Sequence, residues 1–200
     1  MEMSGEERIP ATQAATWAAL NDPEILKACV PGCDSIERVA ENEFQVLMVA
    51  RIGPVSAKFK GKLALSDLQP PNSYAIAFEG QGGAAGFGKG SAQVRLAPDG
   101  EGTLLSYDVK ANVGGKLAQI GSRLVDAAAK KISKDFFAAF NAKVGGQHGT
   151  EGAPAGSHDE HAAEPVPRDP DLPTVSNASL VFLAAGALVV VVVALVALLA

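Results

Sequence analysis

The sequence predicts an α+β fold in which an antiparallel sheet wraps around a long C-terminal helix, followed by a single C-terminal transmembrane helix. Apolar and polar residues alternate in the middle of the chain, most clearly over 55–65, as expected for strands with one buried face. Apolar residues then recur every four positions over 120–140, which is typical of an amphipathic helix. The segment 180–200 contains no charged residue, amide or proline.

Two short helices are predicted near the N-terminus, over 12–20 and 22–28, after a short strand. The second has a clear start, because Asp22 can cap the helix, Pro23 suits its first turn, and Glu24 lies near its positive end. Both helices precede the region of alternating residues.

About six strands are expected next, and five of them can be placed. The runs 43–52 and 55–65 form a hairpin around Gly53-Pro54, a strand containing Tyr74 follows, and further strands cover 88–96 and 103–113. After 114–115 the period changes to that of a helix of about seven turns. A curved sheet against such a helix can enclose a pocket.

The chain divides into three regions: a folded domain at 1–144, a linker at 145–179 and a membrane anchor at 180–200. The anchor has twenty-one residues, and a helix of that length spans about 31 Å, close to the hydrocarbon thickness of a bilayer. The linker is rich in Gly, Ala, Pro and acidic residues, so we expect a tether reaching on the order of 30 Å. No signal peptide is visible, which predicts a soluble domain in the cytoplasm and a single-pass anchor in the cell inner membrane.

Charge and histidine content exclude several functions. Residues 1–144 contain sixteen basic and sixteen acidic residues, and a neutral domain lacks the basic face that nucleic acid requires. All three histidines lie in the linker, so we predict neither a catalytic centre nor a metal site in the domain. Cys29 and Cys33 are interpreted as buried small side chains.

Small residues on the inward faces of the strands, such as Ala50, Gly61, Gly90 and Ala111, indicate space for a hydrophobic ligand unless larger neighbours fill it. The alternative is that the long helix plugs this space with its own apolar side chains. Twelve residues are predicted to line the cavity: Trp17, Met48, Phe59, Leu63, Tyr74, Phe78, Phe87, Leu105, Tyr107, Val109, Ile120 and Leu124.

The glycine-rich segment 80–90 does not match the spacing of a phosphate-binding loop. It lies between two strands, with no helix after it. We therefore expect a mobile flap at the mouth of the cavity, with Phe87 at its tip.

Several segments carry distinctive sequences: WAALNDP at 17–23, PGC at 31–33, GPV at 53–55 with FKG at 59–61, GGAAGF at 82–87 and GGKLAQIGSRL at 114–124. They resemble the CoxG family of aerobic carbon monoxide dehydrogenase subunits, within the START-like or polyketide-cyclase-like superfamily of helix-grip proteins. The resemblance covers nearly all of 1–144, and the segment at 114–124 is much more specific than the one at 17–23.

This resemblance implies an accessory protein, not an enzyme, that serves a molybdenum hydroxylase-type dehydrogenase complex at the membrane. Two hypotheses follow. In the first, the domain carries a quinone, either menaquinone or ubiquinone, in an internal cavity, and the tether lets it move between membrane lipid and dehydrogenase. In the second, the domain is a docking module with a filled core. Catalysis on a bound polyketide or lipid is the weakest option, because the predicted inner face has no paired acid-base residues.

Overall fold

A seven-stranded antiparallel sheet forms the centre of the domain. The computed structural model describes residues 1–52 and 55–146. The element order is the predicted one, with the long helix divided in two. The elements are β1 (Glu2–Ile9), α1 (Gln13–Ala19), α2 (Pro23–Cys29), β2 (Cys33–Ala40), β3 (Glu43–Ile52), β4 (Val55–Gln69), β5 (Ser73–Gln81), β6 (Phe87–Asp99), β7 (Gly102–Gly114), α3 (Lys116–Gln119) and α4 (Ser122–Gly145). In space the strands follow the order β1-β7-β6-β5-β4-β3-β2.

The predicted start of α2 is confirmed. Asp22 Oδ1 accepts hydrogen bonds from the backbone N–H groups of Glu24, at 2.9 Å, and Ile25, at 3.3 Å. Pro23 occupies the first turn, where no intrahelical donor is needed. A local sequence signal therefore determines where this helix begins.

Strands β3 and β4 pair antiparallel as predicted, although the turn at Gly53-Pro54 lies outside the described residues. Along β4, Phe59, Leu63 and Leu65 are buried, whereas the alternating lysines at 58, 60 and 62 are exposed. The sheet thus has an apolar inner face and a polar outer face. Helix α4 contacts β1, β3, α1 and α2 on the inner side.

Helix α4 differs from the prediction in the face that it buries. Leu124 is 51% exposed, so its expected place on the buried face is wrong. A strict four-residue repeat drifts by about 40° per step around a helix of 3.6 residues per turn, and Gly121, at φ 93°, separates α3 from α4. The buried residues instead follow steps of one, three and four: Val125, Ala129, Ser133, Phe136, Phe137, Phe140 and Val144.

In the part of the chain that the structure describes, no helix is long and apolar enough to cross a membrane. The predicted anchor at 180–200 lies outside those residues, as does the linker beyond Gly146. Both remain predictions.

The two cysteines lie at the α2–β2 junction, Cys29 buried and Cys33 partly buried, both as free thiols. Burial raises the pKa of Cys33 to about 11, with the positive charge of Lys27 opposing this and the negative charge of Asp34 adding to it. Burial also raises the pKa of Cys29, against a smaller opposite effect from Lys143. Both thiols are therefore protonated at neutral pH.

Replacing Phe140 by alanine is expected to lower the free energy of unfolding by about 3–5 kcal/mol, because the ring is fully buried and leaves a cavity. The control is Leu124→Ala on the same helix. It should change the free energy of unfolding by less than about 0.5 kcal/mol, since this side chain is half exposed. Urea denaturation followed by circular dichroism measures both. Equal losses in the two variants would contradict the buried face described here.

Alkylation of Cys33 by iodoacetamide is expected to be about tenfold slower at pH 8 than that of a free cysteine. The thiolate fraction is about a hundredfold smaller, and the greater nucleophilicity of a more basic thiolate offsets part of this. Mass spectrometry of the labelled chain should show a rate still rising at pH 10. A rate that levels off near pH 9 would contradict the raised pKa, and the denatured chain provides the reference.

Candidate functional site

The structure brings most of the predicted lining residues together in one core. Ile120 is partly buried against the same cluster. Two members lie elsewhere: Leu124 is exposed on α4, and Phe87 is 49% exposed. The buried residues are Trp17, Met48, Phe59, Leu63, Tyr74, Phe78, Leu105, Tyr107 and Val109.

Aromatic rings occupy the space beside small residues of the inner face. A Cβ atom placed on Gly90 would lie 2.5 Å from the Phe78 ring, and one on Gly82 would overlap the ring of Phe59. Gly90 is one of the small residues from which a cavity was predicted. Its neighbour fills that space, so the central core is closely packed at this point.

Phe87 lies on the outer face of the sheet, not in the interior. It lies on the same face of β6 as exposed Lys89, and a Cβ atom on its pair partner Gly114 would lie 2.4 Å from its ring. The predicted lining role of Phe87 therefore does not fit its position. The alternation of β6 explains this, because residues 87 and 89 lie on the same, outer face of the strand.

The loop before β6 packs closely on the turn before α3. A short 3-10 turn, Gly83–Ala85, buries Ala85. A Cβ atom on Gly115 would lie 2.5 Å from Gly86 Cα, so the two backbones touch. Both glycines have positive φ values, 124° and 81°. The motion predicted for this flap is untested.

Two surface grooves merit comparison as binding sites. The first, of about 710 Å³, lies on the outer face of the sheet, where Ala64 and Ala77 form a floor. Lys62, Glu79 and Lys89 are adjacent across β4, β5 and β6, so positive and negative charges alternate beside it. The charges around this groove are of both signs. Leu63 and Phe78, two of the predicted lining residues, also border it, but it lies on the face of the sheet that carries the exposed Lys62 and Lys89.

The second groove, of about 430 Å³, lies between β1 and α4 and reaches the inner face of the sheet at Tyr107. From β1 it is lined by Met3, Ser4 and Glu7, and from α4 by Lys130, Ser133, Lys134, Phe137 and Ala138. It joins the surface to the core at one of the predicted lining residues. We therefore take it as the candidate site.

Gly5 positions the Tyr107 side chain. The two residues pair across β1 and β7, and a Cβ atom on Gly5 would lie 2.4 Å from Tyr107 Oη. The missing side chain lets the phenol ring extend across the edge strand toward α4. Burial raises the pKa of Tyr107; the Ser133 hydroxyl lowers it and Glu7 raises it. The phenol is thus a neutral hydrogen-bond donor at physiological pH.

Aromatic side chains lead from this groove into the core. The rings of Tyr107 and Phe137 stack with centroids 5.9 Å apart. Phe136 lies 5.3 Å from Phe137 and 5.5 Å from Phe140, again between ring centroids. The site can therefore offer polar groups at its mouth and an apolar surface behind them.

Gly5, Ser133 and Phe137 were not among the predicted site residues. Ser133 could have been found from the sequence, since it is a polar residue on the apolar stripe formed by Ala129, Phe136 and Phe140. Gly5 could not have been found in this way, because the sequence does not show that it pairs with Tyr107 across the sheet.

Comparisons with known proteins agree with this fold. The CoxG family, described as a subunit of carbon monoxide dehydrogenase, matches residues 5–145. A conserved protein from Geobacillus kaustophilus is 31% identical with a TM-score of 0.70, over 74% of this chain and 97% of that one. A START superfamily protein from Mycobacterium smegmatis is 16% identical with a TM-score of 0.58, over 73% and 98% of the two chains. The Zhui aromatase/cyclase from Streptomyces sp. R1128 is 13% identical with a TM-score of 0.55, over 76% and 98%.

A search of curated proteins found no match to the chain. The two distant structures show the START-like fold alone, and the predicted helix-grip architecture of residues 1–144 is confirmed in its sheet and C-terminal helix. The family match spans well over half of the chain. On this match, the chain belongs to the CoxG family of carbon monoxide dehydrogenase subunits.

Proposed function

We propose that this protein is an accessory protein of an aerobic molybdenum-containing dehydrogenase of the carbon monoxide type. In this proposal it binds a respiratory quinone, menaquinone or ubiquinone, and couples the enzyme to the cytoplasmic membrane. The observation that carries it is the groove at Tyr107, which joins the surface to an aromatic interior in a member of the CoxG family.

The chemistry of this interior supports a hydrophobic ligand. The phenylalanines of α4 present ring faces and edges, which suit an isoprenoid tail better than a polar substrate. A ligand larger than the groove would have to displace the rings of Phe137 and Phe136, which pack behind Tyr107. Binding would therefore begin at the groove and proceed along α4.

The sequence beyond the domain supports the membrane part of the proposal. The apolar segment 180–200 is long enough for one spanning helix, and the linker before it is long enough to let the domain reach the bilayer or a partner. The domain would lie on the cytoplasmic side. Partner choice would then depend on the surface of residues 1–144.

A docking module without a ligand is the second candidate, and the closely packed core favours it. Phe59, Met48 and Tyr74 expose 1% or less of their surface, so the centre of the fold is filled as described. A docking module needs only its surface and its anchor. The two functions differ in whether the domain takes up a quinone.

Organic extraction of the purified full chain, followed by mass spectrometry, distinguishes them. The chain is purified in detergent from a quinone-producing bacterium. We expect a stoichiometric quinone in the native protein and several-fold less in Ala138→Phe, because the added ring occupies the groove. Ala127→Phe is the matched control, since Ala127 is exposed on the same helix and does not line the groove.

Equal, trace amounts of quinone in all three proteins, at the level of empty detergent micelles, would exclude the carrier. Retention of the anchor's membrane binding and of dehydrogenase binding in those same proteins would then support the docking module.

A further inference from the structure

The groove between β1 and α4 brings together two hydroxyl groups from distant parts of the sequence. Tyr107 extends from β7 over Gly5, and Ser133 comes from α4. Ser133 is only 5% exposed. Its hydroxyl is close enough to the Tyr107 phenol to lower the pKa of that group, but within residues 1–52 and 55–146 its Oγ atom makes no hydrogen bond of ordinary geometry. A buried hydroxyl in that condition costs free energy, so a ligand acceptor that reached it would bind favourably.

The charged groups around these hydroxyls are mostly donors. Lys130 and Lys134 are exposed at the mouth of the groove, and neither forms an ion pair within residues 1–52 and 55–146. Glu7 lies on the opposite side, where its Oε1 atom accepts a hydrogen bond from Asn141 Nδ2 at 3.3 Å. The groove therefore offers hydrogen bonds to acceptors, and its two lysines outweigh the charge of Glu7 at the mouth.

The apolar part of the groove wall is flat. Phe137 stacks on Tyr107 at 24° between the ring planes, and Met3 and Ala138 are the other apolar lining residues. A planar ring that carries neutral carbonyl oxygens matches both the walls and the donors.

We propose that this groove binds the head ring of a quinone, with the hydroxyl groups of Tyr107 and Ser133 donating hydrogen bonds to its carbonyl oxygens. The tail then follows the aromatic side chains of α4 toward Phe140. This assignment rests on the proposed function, because it takes a quinone as the ligand. Gly5 is the positioning residue, since any side chain there would displace the phenol.

The test uses the full chain in detergent micelles and ubiquinone-1 as the probe, with affinity measured by isothermal titration calorimetry. Tyr107→Phe and Ser133→Ala should each raise the dissociation constant about fivefold to tenfold, as expected for the loss of one neutral hydrogen bond. Ser106→Ala is the matched control. Its hydroxyl lies on the outer face of β7, 3.3 Å from Glu6 Oε1, and its loss should leave the affinity unchanged.

A second readout separates hydrogen bonding from a general effect on structure. Naphthalene has a planar ring but no carbonyl group, so its affinity should be the same in the native protein and in both variants. The infrared carbonyl band of bound ubiquinone-1 should lie at lower frequency in the native protein, and this shift should decrease in Tyr107→Phe and in Ser133→Ala.

Native-like affinity and an unshifted carbonyl band in both variants would overturn this head-ring site while leaving the proposed function intact. Failure of the native chain to bind either ubiquinone-1 or a short-chain menaquinone would instead overturn the proposed function and this site with it. Displacement of ubiquinone-1 by oleate, with the same dependence on Tyr107 and Ser133, would assign the hydroxyls to a fatty-acid carboxylate and overturn the quinone assignment.

Discussion

Contact between aromatic rings and glycines is the constraint on which this domain depends. At Gly5, Gly82 and Gly90 the missing side chain lets a ring from a neighbouring strand or loop lie directly against the backbone. Protein interiors are close-packed, so a ring that uses such a space cannot be moved without cost. These contacts determine both the closed centre of the fold and the position of the Tyr107 phenol at its edge.

The proposed binding site lies where this packing ends. In the centre, the rings of Phe59 and Phe78 leave little surface accessible, whereas between β1 and α4 the ring of Tyr107 reaches a groove. A member of the CoxG family that binds a ligand would therefore recognise it at the edge of the sheet before admitting it to the core. The polar outer face, with alternating charges beside Ala64 and Ala77, is separate from this route.

The sequence predicted the fold well because its signals are local. Alternation along β4 and the capping group of Asp22 act within a few residues, and both were confirmed. Leu124 was misplaced because a four-residue repeat does not match the helical period over several turns. The site was harder to predict: Gly90 indicated space, but only the fold shows that Phe78 fills it, and the partnership of Gly5 with Tyr107 spans most of the domain.

The backbone contact between Gly86 and Gly115 has a consequence for protein engineering. It joins two sequence segments, GGAAGF and GGKLAQIGSRL, through main-chain atoms. The contact therefore requires glycine at both positions, because only a residue without a side chain allows the two backbones to touch. A substitution at one glycine cannot be compensated by a substitution at the other, since any added Cβ atom overlaps the opposite main chain. A designer who transfers one segment to another scaffold must transfer both, together with their spacing.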